Sequence, residues 1–493
     1  MSVRTVLPSE MKALESDFMA RRGIPSLLLM ERAAAGVADA IARNTQAGAS
    51  VLFLCGCGNN GGDGLAAARL WRGRKGGALV WLMPGRLSPD AEIQLQLAEE
   101  AGVEIRVLRE IPDSLPQCSL AVDALFGTGL SRGVTGPAAE LIALLDRSGV
   151  PVLAVDIPSG LDGATGRVNG AAVRAVETVT FHRAKPGLFL RQGCAYAGRI
   201  TVCPILIPAD TPPDEGLAFL TSEEAAALVP PRGPESHKGT FGTAVLCVGS
   251  VGMAGAAALC AEACIRAGSG LTRILCPEAI VPVLQTLVPG ATCIPLPGDA
   301  SLWPGIAEKA LRGAVRAAIG CGLGQDEDLL PLLRAFRAAS CPVVWDADAL
   351  GLLASHPDLL PLPAKDFVTP HPGEAARLLS CTTAEVTDEP LRSLAALRER
   401  CGCNVILKGA RSLMTDGTDC AVNPIGTPAL AMGGSGDILT GLLCGLIGQG
   451  IPTSLQTMQL ACYEHVLAAE RAAKAHGLTS PVPQEIAASI RLG

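Results

Sequence analysis

The chain has 493 residues, 49% hydrophobic and 18% charged, and that length implies two or three domains rather than one core. A net charge of −7 excludes the basic face that a nucleic-acid backbone binder needs, but local amide dipoles could still hold an anionic small ligand. Eighteen cysteines without a C-x-x-C pair read as reduced cytosolic thiols, not as a disulfide or zinc framework.

The first residues carry charges at Glu10, Lys12, Glu15 and Asp17, with no apolar signal core. Further on, apolar runs at Ser50–Leu54, Ala78–Leu82, Val103–Val107, Leu120–Asp123 and Val152–Asp156 are bounded by Gly, Pro or Asp. Amphipathic stretches such as Asp90–Ala101 and Ala138–Arg147 fall between them. Continuous apolar strands alternating with helices predict a parallel sheet covered on both faces. Prolines 208, 212, 213, 230 and 231 break regular structure between Pro204 and Pro234, and they place a domain boundary near Gly216. A second α/β series follows, with strands at Thr243–Val248, Leu271–Leu275, Val315–Ile319, Val343–Asp346, Asp366–Thr369 and Asn404–Lys408. The expected domains are therefore 1–216 and 217–493. The longest apolar run, Ile438–Gly448, is about half of the ~20 residues a spanning helix needs. A cytoplasmic protein without a membrane span is expected.

The segment Gly56-Cys57-Gly58-Asn59-Asn60-Gly61-Gly62-Asp63-Gly64 follows a strand and opens a helix. It matches G-x-G-x-x-G in the context that holds a pyrophosphate on loop amides. Hydride transfer is disfavoured, because that fold expects a ribose-binding acid after the second strand. Here the strand runs into Met83-Pro84-Gly85-Arg86. Two Asn and one Asp within the loop offer the oxygen donors that a hard cation takes. Asp123 and the Asp156–Asp162 stretch could complete the cluster from neighbouring strand ends, although each Asp alone could equally cap a helix or form a turn.

Together, Gly58–Gly64, Asp123–Leu130 and Asp156–Asp162 resemble the NAD(P)H-hydrate epimerase family in order and spacing over most of residues 1–215. The resemblance implies a Rossmann-like sandwich. It implies that Asn59, Asn60, Gly61, Gly62 and Asp63, then Gly127, Thr128, Gly129, Leu130, Ser131, Arg132 and Gly133, and Asp156 contact the hydrated nucleotide. It also implies that Asn60, Asp123 and Ser159 hold a potassium ion. The damaged cofactor carries a hydroxyl on C6 beside the ring nitrogen, and inversion through a planar cation needs an acid/base group. Asp156 is the candidate. Lys185, in His182-Arg183-Ala184-Lys185-Pro186-Gly187, is either its helper or a surface lysine facing phosphate.

In the second half, Gly433-Gly434-Ser435-Gly436-Asp437 precedes an apolar helix, so small residues and the helix dipole favour an anion there. Asp437 is either a capping acid or a base beside that anion hole. Lys408-Gly409-Ala410-Arg411-Ser412 joins two strands in a turn able to carry an adenosine phosphate. His371, fixed between prolines at a strand end, points to a cleft lining. Asp346 and Asp348 end a buried strand, where they could hold water or magnesium or cap the next helix. With Lys238–Gly242, Gly322–Gly324 and Thr369–Glu374, these motifs resemble the ribokinase-like superfamily and, within it, the NAD(P)H-hydrate dehydratases. That resemblance implies that Ala254, Gly322 or Gly324, His371 and Asp437 face the hydrate, and that Lys408–Ser412 and Gly436 face AMP. It also implies ADP as phosphoryl donor and Mg2+ screening the phosphates.

The expected activity is thus repair of hydrated NADH and NADPH by an epimerase fused to an ADP-dependent dehydratase. Partners would be small molecules, with a homo-oligomer compatible with the small-residue surfaces. Two rivals remain at this stage. One is a ribokinase-like vitamin-precursor kinase; in the other, the first domain merely senses nucleotide.

Overall fold

The computed structural model describes residues 3–130, 132–208, 216–229, 231–479 and 481–492. It divides into two compact units, residues 4–217 and residues 218–493, with residues 1–3 grouped with the second. The prolines at 212, 213 and 230 and the site candidate Ser131 lie outside the described residues.

After a two-residue strand β1 (Val3–Arg4), the first unit builds a seven-stranded sheet from β2 (Ser50–Cys55), β3 (Gly77–Leu82), β4 (Glu104–Val107), β5 (Leu120–Ala124), β6 (Val152–Val155), β7 (Glu177–Phe181) and β8 (Arg199–Cys203). The strand order is β4-β3-β2-β5-β6-β7-β8, and every pairing is parallel. Alternate residues of β2 serve opposite cores, as strand geometry requires. Val51, Phe53 and Cys55 pack with Val37 and Ile41 on one face, while Leu52 and Leu54 pack with Leu141 and Leu145 on the other. Helix Ser26–Asn44 supplies the first layer by burying Leu29, Ala33, Val37 and Ile41, a stripe at helical spacing. The chain leaves β2 toward β3 and β4, then returns to place β5 on β2's other side. The crevice at such a reversal, outside the strand carboxyl ends, is where open α/β sheets bind ligands.

The second unit carries β9 (Ala218–Phe219), β10 (Thr243–Cys247), β11 (Leu271–Pro277), β12 (Thr292–Leu296), β13 (Arg316–Ile319), β14 (Val343–Trp345), β15 (Phe367–Val368), β16 (Asn404–Leu407), β17 (Leu413–Thr415) and β18 (Cys420–Val422). The sheet runs β1-β9-β18-β17-β16-β15-β14-β13-β10-β11-β12. It is parallel from β12 to β16 and antiparallel through β17 and β18. Its reversal lies between β10 and β13. Helices Ala254–Arg266 and Ser435–Leu446 approach so closely that a Cβ on Gly441 would lie 2.0 Å from the Cys260 carbonyl oxygen. Only glycine fits that contact.

The predicted strands form with ends displaced by one or two residues. The proline-rich stretch holds more order than expected, since helix Ser222–Leu228 starts inside it. Thr221 Oγ1 accepts from the Glu224 amide at 3.2 Å, and Glu224 Oε2 accepts from the Thr221 amide at 3.0 Å. Among the described residues, no helix is long and apolar enough to cross a membrane.

Candidate active sites

In the first unit the loop after β2 runs into helix Asn59–Gly73, whose N-cap is Gly58. The turn is tight because glycine permits it: a Cβ on Gly56 would lie 1.9 Å from the Leu125 carbonyl oxygen. The loops after β2 and β5 therefore touch. Asn60 packs against Gly127, where a Cβ would meet its side chain at 3.2 Å. Thr128 lies beside Gly163 in the loop after β6, 3.4 Å from where a Cβ would stand. Leu130 packs on the second core, and Arg132 is exposed. Gly133 lies beside the Asn169 carbonyl, which would be 3.8 Å from an added Cβ.

Asp123 is fully buried. Its Oδ1 accepts from Ser159 Oγ at 2.6 Å and its Oδ2 from the Ser159 amide at 2.8 Å. Ser159 Oγ also lies 3.1 Å from the Phe126 carbonyl oxygen. Burial pushes the Asp123 carboxyl up to about 6, with the Ser159 hydrogen bonds opposing it. The buried amide nitrogen of Asn60 has no hydrogen-bond partner. Carboxylate, hydroxyl and carbonyl oxygens thus converge at this point, and these are the donors that a hard cation takes.

Asp156 lies one residue past β6 at φ +63°, a conformation costly for a residue with a Cβ. That turn brings its carboxylate to Lys185, whose Nζ donates to Oδ1 at 2.5 Å. Thr180 Oγ1 adds a hydrogen bond at 3.1 Å. Lys185 is only 1% exposed, so the surface-lysine reading is ruled out by burial. Asp63 faces the same cluster. Burial, then the charges of Asp156, Glu15 and Asp90, push its carboxyl well above the usual range, against the pull of Lys185. Glu15 is a member that the sequence reasoning passed over. It stands on helix Pro8–Arg22, on the side that carries Met11, Phe18 and Met19 to the core, and burial raises its carboxyl beside Lys185 and Asp156.

In the second unit the loops after β10, β13, β14 and β15 and the turn between β16 and β17 hold the candidates. Gly434 is the N-cap of helix Ser435–Leu446 at φ +92° and provides no side-chain cap. Asp437 stands in the first turn of that helix, and burial pushes its carboxyl up to about 6, with Cys321 and Lys408 opposing. Gly322 adjoins Met253, the residue before Ala254, and its own Cβ would lie 2.9 Å from that side chain. The Gly324 amide donates to Asp348 Oδ2 at 2.8 Å. His371 caps helix Pro372–Leu379. Its Nδ1 accepts from the Gly373 amide at 3.0 Å, and Glu374 Oε2 accepts from the His371 amide at 2.8 Å. Half of its side chain stays exposed.

Lys408 turns inward, and its Nζ donates to Asp346 Oδ1 at 2.7 Å. A Cβ on Gly436 would stand 3.5 Å from that nitrogen, so the lysine and the glycine loop share one place. Gly409 and Ala410 are exposed, with Arg411 and Ser412 half-buried behind them. Thr440 and His465 also escaped the sequence reading. Thr440 Oγ1 donates to Asp346 Oδ2 at 2.6 Å. Buried His465 is pushed down to about 4 by burial and by Lys408.

Comparison with known proteins agrees with this layout. Residues 244–491 match the family model described as NAD(P)H-hydrate dehydratase, and residues 26–187 match the YjeF-related protein N-terminus. The bifunctional NAD(P)H-hydrate repair enzyme of Vibrio cholerae is 34% identical over 95% of this chain and 93% of its own length. The Moorella thermoacetica enzyme of the same name is 33% identical over 96% and 93%. A ribokinase-like superfamily protein from Enterococcus faecalis, 27% identical, superposes with a TM-score of 0.50 over 55% of this chain and 93% of its own. With both domains matched and relatives aligned almost end to end, the chain belongs to the family of bifunctional NAD(P)H-hydrate repair enzymes.

Proposed function

We propose that the first unit inverts C6 of hydrated NADH and NADPH at Asp156, and that the second dehydrates the S form at the expense of ADP through Asp437. The observation that carries this reading is that each aspartate lies beside a glycine-opened helix N-terminus, Asp156 in one charged cluster with Asp63 of helix Asn59–Gly73 and Asp437 in the first turn of helix Ser435–Leu446. The dinucleotide would lie across Asn59–Asp63 and Gly127–Gly133, including Ser131, Arg132 and Gly129. The C6 hydroxyl leaves with its electron pair as the ring nitrogen supplies one, giving a planar cation that water attacks from either face. Asp156, entering as the neutral acid, passes its proton to the departing oxygen and as the resulting carboxylate takes one back from the incoming water, with Lys185 holding it in place. Potassium fits Asn60, Asp123 and Ser159, where it would neutralise a buried carboxylate.

In the second unit the hydrate would meet Ala254, Gly322, Gly324 and His371, and AMP would meet Lys408–Ser412 and Gly436. Hydroxide leaves poorly, and phosphate leaves well. Asp437 takes the proton of the C6 hydroxyl as its oxygen bonds to the β-phosphorus of ADP. The bond to the bridging oxygen breaks, and AMP departs with that electron pair. Phosphate then leaves C6 with its pair, and loss of the C5 proton restores the ring double bond. Amides at Gly434–Gly436 stabilise the charge in transfer. Mg2+ would be held on the ADP phosphates and would screen their charge. Eighteen free cysteines suit a reducing cytoplasm. The vitamin-precursor kinase reading leaves the first unit without a use.

The test is incubation of the full chain with ADP and hydrated NADH. One NADH, one AMP and one phosphate should appear per ADP consumed. A stable phosphorylated product without NADH would favour the kinase.

A further inference from the structure

We propose that Asp346, braced by Thr440, is a positioning residue that aims the Lys408 ammonium at the phosphoryl group passing over Gly436. The inference rests on the second unit's site being the phosphoryl-transfer site proposed above.

Asp346 has a side chain only 2% exposed and divides its two oxygens. Oδ1 accepts from Lys408 Nζ at 2.7 Å, and Oδ2 accepts from Thr440 Oγ1 at 2.6 Å. Thr440 lies on helix Ser435–Leu446, one turn after Asp437, so the same helix that presents the proposed base also locks the carboxylate steering the lysine. From where a Cβ on Gly436 would stand, Lys408 Nζ is 3.5 Å away and Asp346 Oδ2 is 3.9 Å away, which places the ammonium at the edge of the amide cradle. Glu374 Oε2, at 3.7 Å, lies beyond hydrogen-bond reach and serves as a second, weaker anchor. An ammonium has three N–H groups, and Asp346 uses one, so donors remain for a phosphate oxygen. The residue after Asp346, Ala347, sits at φ +49°, so the chain holds a costly turn at the point where the carboxylate is set.

The charges around the ammonium come from several elements. Asp346 on the loop after β14, Glu374 on helix Pro372–Leu379 and Cys321 on the loop after β13 favour its protonated form, against desolvation. His465 on helix Ser454–His476 and Asp437 on its own helix also feel it. Without the Asp346 charge, burial would dominate, and Lys408 would lose its proton at lower pH.

A structural salt bridge and a positioning device differ in kinetics. Removing an interaction felt mainly in the transition state lowers kcat, and misplacement of a catalytic group can cost about a hundredfold. Asp346→Asn should lower kcat of ADP-dependent dehydration about a hundredfold and Thr440→Val about tenfold, both with hydrate KM changed less than about twofold. The alkaline limb of the Asp346→Asn rate profile should move to lower pH, and Asp346→Asn/Lys408→Ala should be no slower than Lys408→Ala. Should Asp346→Asn fail to fold, the near-isosteric Thr440→Val decides by the same kcat and KM pattern. Wild-type kcat and an unmoved alkaline limb in folded Asp346→Asn would overturn the proposal, as would a double variant slower by the product of the single effects. Full turnover in Asp437→Asn would instead sink the site reading beneath it. Loss of turnover there, beside intact Thr440→Val and Asp346→Asn, sinks only the positioning role.

Discussion

Each unit places an aspartate beside a glycine-opened helix N-terminus, Asp156 one residue past a strand and Asp437 in the helix's own first turn, and surrounds it differently. In the first, Asp156 takes its lysine directly: Lys185 Nζ lies 2.5 Å from its carboxylate. In the second, the lysine of the site is bonded to a different acid, Asp346, and Asp437 is left with burial as the largest influence, which pushes it up to about 6. The difference matches the chemistry each unit is assigned. An acid/base group that must return unchanged after every inversion gains from a fixed counter-charge. A base that must accept a proton while anionic phosphate gathers nearby gains from a raised proton affinity. Like folds thus supply the place, and the second layer of charges supplies the reaction.

The sharpest way to break this comparison is Asp437→Ala. It should cost dehydration about 10²–10⁴-fold while leaving epimer interconversion intact, and separate assays of the two reactions on one preparation would check both halves. Asp156→Asn should do the reverse, with an epimerisation loss of about a hundredfold or more and normal turnover of purified S hydrate. A variant that damaged both reactions equally would point to misfolding, which circular dichroism would reveal.

The pH dependence sharpens the contrast further. Asp437 must be ionised to act, so dehydratase kcat/KM should fall as pH drops through about 6, and roughly tenfold for each pH unit below it. Stability has the opposite sign. Because the folded-state affinity of Asp437 for its proton is raised, its contribution is fully present below the ordinary carboxylate range and is lost as pH rises through about 6. A lower limb at pH 4 would contradict the assignment. The smallest expected effect concerns Asp123. Adding potassium to a choline-exchanged protein should raise the melting temperature of the first unit by a few degrees and leave the second unmoved. Equal shifts with choline would remove the cation from the account.

Much of this was legible beforehand where apolar runs were continuous. Strand β2, with five successive buried residues, and β10 fell where predicted because strands covered on both faces read as unbroken hydrophobic stretches. Strand β7 did not. Its Glu-Thr-Val-Thr-Phe pattern looks half-polar, yet it is wholly buried. Glu177 survives there because Arg43, Asn44, Arg199 and Thr201 satisfy it, and they arrive from elements that no local pattern can pair with it. The site divided in the same way. Motif residues on glycine loops announced themselves, and the loops meet in space. Thr440 and Glu15 stayed hidden because each lies inside a helix with no motif around it, and only the packing reveals what its polar end touches.

The most direct test of the central claim, two independent aspartate sites serving one repair, is a single time course. The full chain would be given a mixture of R and S hydrates with ADP, and reduced nicotinamide would be followed by absorbance. The account predicts recovery of both epimers by the wild type, recovery halting near the S fraction in Asp156→Asn, and none in Asp437→Asn. Rapid, complete recovery by Asp156→Asn, or any normal recovery by Asp437→Asn, would contradict it.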